Sequence, residues 1–166
     1  SYATIQANGA GAKGITFNGS DINPLLLSGG SQNAAYATIK APNGNISFNA
    51  NVREISLLGG AGTGSYAEIS NNSGDLTIGY LTGDVNLQGG GQDSYAKIIS
   101  QGSLTFNVNS DPTFPYSIIL AGGNGTNSPA EIFANNNVTI VNSFLKTLSL
   151  TGGSGSTSQA KISADT

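Results

Sequence analysis

Apolar residues in this chain come in short runs that alternate with polar ones, and three such runs make up a repeat. The first run is Tyr-Ala-x-Ile, at Tyr2-Ala3-Thr4-Ile5, Tyr36-Ala37-Thr38-Ile39, Tyr66-Ala67-Glu68-Ile69 and Tyr95-Ala96-Lys97-Ile98. Looser copies follow at Pro129-Ala130-Glu131-Ile132 and Gln159-Ala160-Lys161-Ile162. From alanine to alanine the steps are 34, 30, 29, 34 and 30 residues. The second run is Ile15-Thr16-Phe17, Ile46-Ser47-Phe48, Leu76-Thr77-Ile78, Leu104-Thr105-Phe106 and Val138-Thr139-Ile140. The third is Leu25-Leu26-Leu27, Ile55-Ser56-Leu57, Val85-Asn86-Leu87, Ile118-Ile119-Leu120 and Leu148-Ser149-Leu150, and each leads into a glycine pair.

Alternation with period two puts one apolar set on one face of each strand. The expected inward set is Ala3/Ile5, Ile15/Phe17, Leu25/Leu27 and their later counterparts. One repeat cannot bury these side chains alone, whereas stacked repeats share a continuous core. Three strands and three corners per period predict one coil of a three-sided parallel β-helix, right-handed by the general rule for parallel crossovers. The expected fold is therefore all-β: a β-solenoid of about 30 residues per coil and five to six coils. The coils begin near residues 1, 35, 65, 94, 128 and 158, so 1–166 forms a single domain. With neighbouring strands ~4.8 Å apart, the rod is about 25 Å long. An antiparallel sandwich also spaces strands roughly every 8–12 residues, but it gives no reason for the same strand type to return at every third element.

The outward positions carry their own columns. Thr4, Thr38, Glu68, Lys97, Glu131 and Lys161 share one, and the last four alternate in sign, so each charge is expected to face an opposite one on the next coil. Each exposed pair is worth at most about 1 kcal/mol, but together they oppose slippage by one coil. Tyr2, Tyr36, Tyr66 and Tyr95 are expected to stack as an outward aromatic ladder.

Composition removes many functions. The 166 residues include six basic and nine acidic side chains, for a net charge of −3, and contain no Cys, Met, Trp or His. That balance offers no basic footprint for nucleic acid. Without Cys or His, the usual zinc, copper, iron–sulfur, thiol and Ser–His sites cannot be built. No apolar run reaches the roughly 20 residues that span a bilayer, and nothing resembles a signal peptide. The chain starts at Ser1-Tyr2-Ala3 without an initiator Met. Both ends fall on the first strand of a coil, with no polar cap in view. The expectation is a segment of a longer repeat protein or a fibre subunit, continued by its parent chain or by head-to-tail stacking, because open strand edges invite pairing.

Units of the form Leu-x-Leu-x-Gly-Gly-x-Gly-x-x-Ser-x-Ala-x-Ile, as in Leu148 to Ile162, resemble the repeat arrays of filamentous haemagglutinin-like proteins. The resemblance covers essentially the whole chain. It implies the shaft of a very large bacterial surface or secreted β-helical adhesin. Shaft repeats share no site motif, so the resemblance carries over no binding residue.

Gly9-Ala10-Gly11-Ala12-Lys13-Gly14 matches G-x-G-x-x-G, but a dinucleotide site needs a helix next, and Ile15-Thr16-Phe17 is a strand pattern. Glycine-rich calcium coils use G-G-x-G-x-D, and the corners here (Gly59 to Gly64, Gly122 to Asn127, Gly152 to Thr157) lack the aspartate. No metal or cofactor is expected. Glu54 and Asp84 should be neighbours on adjacent coils, and carboxylates about 5 Å apart can act as a nucleophile–acid pair. The following coils place Ser117 and Thr147 there, so a solvated face is the favoured reading of these weak catalytic candidates. The stretch Asn107 to Tyr116 is an insertion, since Phe106 to Ile118 spans 12 residues where other coils use 7 or 8. Loops that leave a regular scaffold often carry recognition, which makes Asp111, Phe114 and Tyr116 the ligand-binding candidates. Sequons occur at Asn18, Asn45, Asn71, Asn124 and Asn137. The outward threonines form no long flat Thr-x-Thr grid of the kind an ice-binding face needs.

The expected role is structural and not enzymatic: an extracellular or cell-surface β-solenoid module of bacterial type. The expected partners are further copies of itself and host or matrix glycans, without nucleic acid or membrane insertion. The alternatives are a carbohydrate-binding adhesin domain or a polysaccharide-degrading enzyme of β-helix fold.

Overall fold

The computed structural model describes residues 2–7, 14–108, 113, 115–141 and 144–165. Among these there is no helix, and every strand pairing is parallel and links one coil to the next. The first sheet stacks Ala3–Gln6, Ala37–Ala41, Ala67–Asn71, Ala96–Ser100, Ala130–Ala134 and Ala160–Ala164 in that order. The second stacks Gly14–Phe17, Asn45–Phe48, Leu76–Leu81, Leu104–Val108 and Val138–Val141, with the short strands Asp21–Ile22 and Asn51–Val52 beside them. The third stacks Leu25–Ser28, Ile55–Leu58, Val85–Gln88, Tyr116–Ala121 and Leu145–Thr151. Three parallel sheets wound about one axis, about five turns at a spacing near 30 residues, make a β-solenoid.

The registers follow the sequence columns. Ile5, Ile39, Ile69, Ile98, Ile132 and Ile162 lie one on the next along the first sheet. Phe17, Phe48, Ile78, Phe106 and Ile140 do the same on the second, and Leu27, Leu57, Leu87, Leu120 and Leu150 on the third. Apart from the exposed Ile5 and Leu150, these columns form one core, in which Phe17 stacks on Phe48 with ring centres 4.6 Å apart. A fully buried Leu, Ile or Phe contributes about 1.5–3 kcal/mol. Register is therefore held strongly, because a one-residue slip would turn each inward column out to solvent.

A fourth inward column extends the second sheet: Ile22, Val52, Leu81 and Val108. The sequence reading did not contain it. The corner before it shortens from coil to coil, and a register shift falls between Ile78 and Leu81 that leaves Tyr80 outside.

The glycine pairs are corners, as expected, and close approach is the reason for them. A side chain built on Gly59 would land on the Ser94 carbonyl oxygen of the following coil, and one on Gly60 would strike the Gly30 carbonyl of the preceding coil. After each glycine pair, one residue takes a left-handed conformation. At Gly64 this costs nothing, but Ala34, Asp93, Asn127 and Thr157 also adopt it, with φ of 54°, 54°, 53° and 57°.

Candidate functional site

The tyrosine ladder is the most organised surface feature. Each tyrosine directly precedes a first-sheet strand, so the in-register alanines Ala3, Ala37, Ala67 and Ala96 bring the rings into line. Backbone bonds extend the ladder to that position: Ala3, Ala37 and Ala67 each donate to the tyrosine carbonyl of the next coil at 3.0 Å. Ring centres are 5.4 Å apart for Tyr2–Tyr36, 4.9 Å for Tyr36–Tyr66 and 4.4 Å for Tyr66–Tyr95, with planes within 8–13° of parallel. The inner ring faces therefore cover one another and present edges to solvent. Lys97 Nζ lies 4.9 Å from the centre of the Tyr95 ring, and Lys40 Nζ lies 5.8 Å from that of Tyr66.

Glu68 joins the ladder to the first sheet. Its Oε1 pairs with Lys40 Nζ at 3.1 Å and accepts from Ser70 Oγ at 2.6 Å. Its Oε2 accepts from the Tyr95 hydroxyl at 2.9 Å. Burial, reinforced by the negative charge of Glu68, pushes the Tyr95 phenol well above its ordinary range.

The column Thr4, Thr38, Glu68, Lys97, Glu131, Lys161 is in register as read from the sequence. Its pairing differs from the expected alternation. Lys97 meets Glu131 at 2.9 Å, whereas Glu68 turns back to Lys40, two positions further along the preceding coil. Among the described residues, neither Glu68 with Lys97 nor Glu131 with Lys161 forms an ion pair. Thr38 and Glu68 are also buried rather than exposed. The third described ion pair, Arg53–Asp21 at 2.9 Å, lies on the second sheet, where hydrogen bonds from Asn51 and then Arg53 hold the Asp21 carboxyl below its usual range.

Other candidates fare differently. Ile55 pairs with Val85, so Glu54 and Asp84, one residue before each, are neighbours on adjacent coils as read. Asp84 Oδ1 is occupied, however, accepting the Ser117 backbone N–H at 2.6 Å where a register shift separates Tyr116 from Ser117. That carboxylate acts as a structural brace. Tyr116 corrects the recognition reading: it is wholly buried at the start of a third-sheet strand, among the largest core side chains, and presents nothing to a ligand. Asn107 and Val108, assigned to the insertion, belong to a second-sheet strand. Asp111 and Phe114 lie outside the described residues, as do Gly9 to Lys13 of the G-x-G-x-x-G match. Of the sequons, Asn71 is buried, its Nδ2 donating to Gly74 O and its Oδ1 accepting from Gln101 N–H. No sugar can reach it in the folded chain. Among the described residues no three Asp or Glu gather into a metal cage.

Two features go beyond the sequence reading: the buried role of the serine in the repeat unit, and a groove along the rod. One is a buried serine column, Ser65, Ser94, Ser128 and Ser158, immediately before the first-sheet run. The Ser65 and Ser94 hydroxyls each donate to the turn of the preceding coil, at Gln32 O and Gly62 O, both at 2.5 Å. The same hydroxyls accept the backbone N–H of Ala35 and Ser65, at 3.2 and 3.0 Å. Ser128 and Ser158 donate likewise to Gly91 O and Gly125 O. The other feature is a groove of about 740 Å³ that runs along the rod over the glycine corners. It is lined by Gly59, Gly89 and Gly122 with Ser28, Gln88 and Asn124. Serine recurring at one place in successive repeats, ahead of each Tyr-Ala or its variant, was the available signal for the first. The groove has none beyond the glycines themselves.

Compared with known proteins, the chain matches no protein-family model, no curated protein and no solved structure.

Proposed function

We propose that this chain is a structural β-solenoid module, part of an extracellular shaft or self-stacking fibre of the kind that bacterial surface adhesins use. The observation that carries this reading is the regular stacking of equivalent positions into one continuous core. Ile69, Ile98, Leu57 and Leu87 are buried in columns that run in register from coil to coil. Such a stack gains stability from each neighbouring coil, and a parallel strand edge can pair with a further coil. The resemblance of the repeats to haemagglutinin-like arrays supports the same role. Sedimentation velocity across a concentration series, with electron microscopy of the same samples, tests self-stacking. Rods that lengthen with concentration, and that shorten in Leu148→Glu, are expected. A monodisperse short monomer at high concentration would overturn self-stacking.

The glycine groove favours a second reading, a carbohydrate-binding surface on the shaft. It runs parallel to the axis for several coils and offers Ser28, Gln88 and Asn124 as hydrogen-bonding groups to an extended glycan. Glycan-array binding that is lost in Gln88→Ala would support it, and binding unaffected by that change would count against it.

A further inference from the structure

We infer that the tyrosine ladder is an oxidative cross-linking site, at which a one-electron oxidant of the haem-peroxidase and hydrogen peroxide class joins Tyr66 to Tyr95 as dityrosine. Three observations combine to place it there. The chain contains no Cys, Met, Trp or His, so tyrosine is its most readily oxidised side chain. Four of the six tyrosines stand in one stacked column, in which the Tyr66–Tyr95 step is the shortest at 4.4 Å. At that step the Tyr95 hydroxyl donates to Glu68 Oε2 at 2.9 Å, so a proton acceptor is in place before an electron leaves.

Oxidation of Tyr95 removes one electron and passes the phenol proton to Glu68, leaving a neutral phenoxyl radical. A second oxidation at Tyr66 removes one electron and releases its proton to water. The two radicals form one carbon–carbon bond between the ring carbons ortho to oxygen. The hydrogen on each of those carbons then moves to the ring oxygen, which restores two phenols. The net change is loss of two electrons and two protons, and hydrogen peroxide accepts both pairs to give two waters. Stacking serves the coupling because partner rings are held together before either is oxidised, so the bond forms within one molecule. The product would be a covalent staple between adjacent coils, in a chain that has no cysteine with which to make one.

Accessibility alone makes the opposite prediction. Tyr80, in the second-sheet corner, is 64 % exposed and stands outside the ladder, and Tyr2 at the ladder's end is 73 % exposed. Surface-controlled oxidation would therefore link Tyr80 and Tyr2 between molecules. The test treats the full chain with peroxidase and limiting hydrogen peroxide, follows dityrosine fluorescence, and maps linked peptides by mass spectrometry at two protein concentrations. The expected product is an intrachain Tyr66–Tyr95 link whose yield does not depend on concentration. It should be lost in Tyr66→Phe, which keeps the ring stack. It should form about fivefold more slowly in Glu68→Gln, which keeps the shape but replaces a charged acceptor with a neutral one. Circular dichroism of both variants confirms that they are folded. Products dominated by intermolecular Tyr80 or Tyr2 links, or a folded Glu68→Gln chain that links at the unchanged rate, would overturn the proposal.

Discussion

The middle coils and the end coils of this solenoid are built from the same repeat, yet the structure treats them differently. Gly59 and Gly152 occupy equivalent corners. A side chain on Gly59 would strike the backbone of the next coil, whereas one on Gly152 would find its nearest neighbour, Ser158 O, at 4.0 Å. Ile69 and Ile5 share one inward column, but Ile69 is fully buried and Ile5 is half exposed. The hydroxyls of Ser65 and Ser94 tie successive turns together, while the corner between the first and second coils has Ala35 at that place, with only its backbone N–H reaching the Ser65 hydroxyl. A repeat therefore does not own its stability. Most of it is created at the interface with the coils above and below, and the same residue is structural or dispensable according to how many neighbours it has.

This contrast can be broken most sharply at the glycines. Gly59→Ala should cost about 3 kcal/mol or more, because a Cβ meets backbone that cannot rotate away, while Gly152→Ala should be nearly silent. Urea unfolding of the two variants side by side measures the difference. Ile69→Ala should follow with a loss of about 2–5 kcal/mol, against less than about 1 kcal/mol for Ile5→Ala. Equal losses at the two isoleucines would mean that Ile5 is covered in solution.

Ser94→Ala should cost about 1–3 kcal/mol, since it strands Gly62 O and the Ser65 N–H in a buried turn. The converse change, Ala35→Ser at the corner between the first and second coils, should gain little. The smallest effect concerns pH. The folded-state pKa of Tyr95 lies above its ordinary value of 10.0, so the native state keeps its proton where the unfolded chain has lost it. This contribution to stability is fully present below pH 10 and declines as pH rises beyond that point. Tyr95→Phe should therefore weaken the alkaline loss of stability. Thermal unfolding of the variant and the unaltered chain between neutral and strongly alkaline pH checks this.

Much of the architecture was legible because strict alternation and identical residues mark the same physical place in each coil. The isoleucine column, the three sheets and the tyrosine alignment all follow from that. The fourth inward column did not show, because its distance from the preceding inward residue shrinks in steps, from Phe17–Ile22 through Phe48–Val52 and Ile78–Leu81 to Phe106–Val108. Periodicity cannot find a position that drifts. The register of Glu68 follows from its column, but neither its burial nor its partner does: column logic sees only the residue directly above or below, while a long lysine side chain reaches diagonally to a carboxylate already held by Ser70 and Tyr95. The prolines and polar residues ahead of Tyr116 give it the local pattern of a loop. Its burial depends on how the widened coil closes, which local composition does not encode.

The central claim is that the chain winds about one axis with its coils in register. The outward second-sheet column Thr16, Thr77, Thr105 and Thr139 offers a direct ruler, and the absence of native cysteine lets paired spin labels be placed there cleanly. Electron spin resonance distances from Thr16 to Thr77, Thr105 and Thr139 should grow linearly, by ~4.8 Å per coil to about 10, 14 and 19 Å. Distances that fail to rise in step with coil number would contradict the solenoid and everything derived from it.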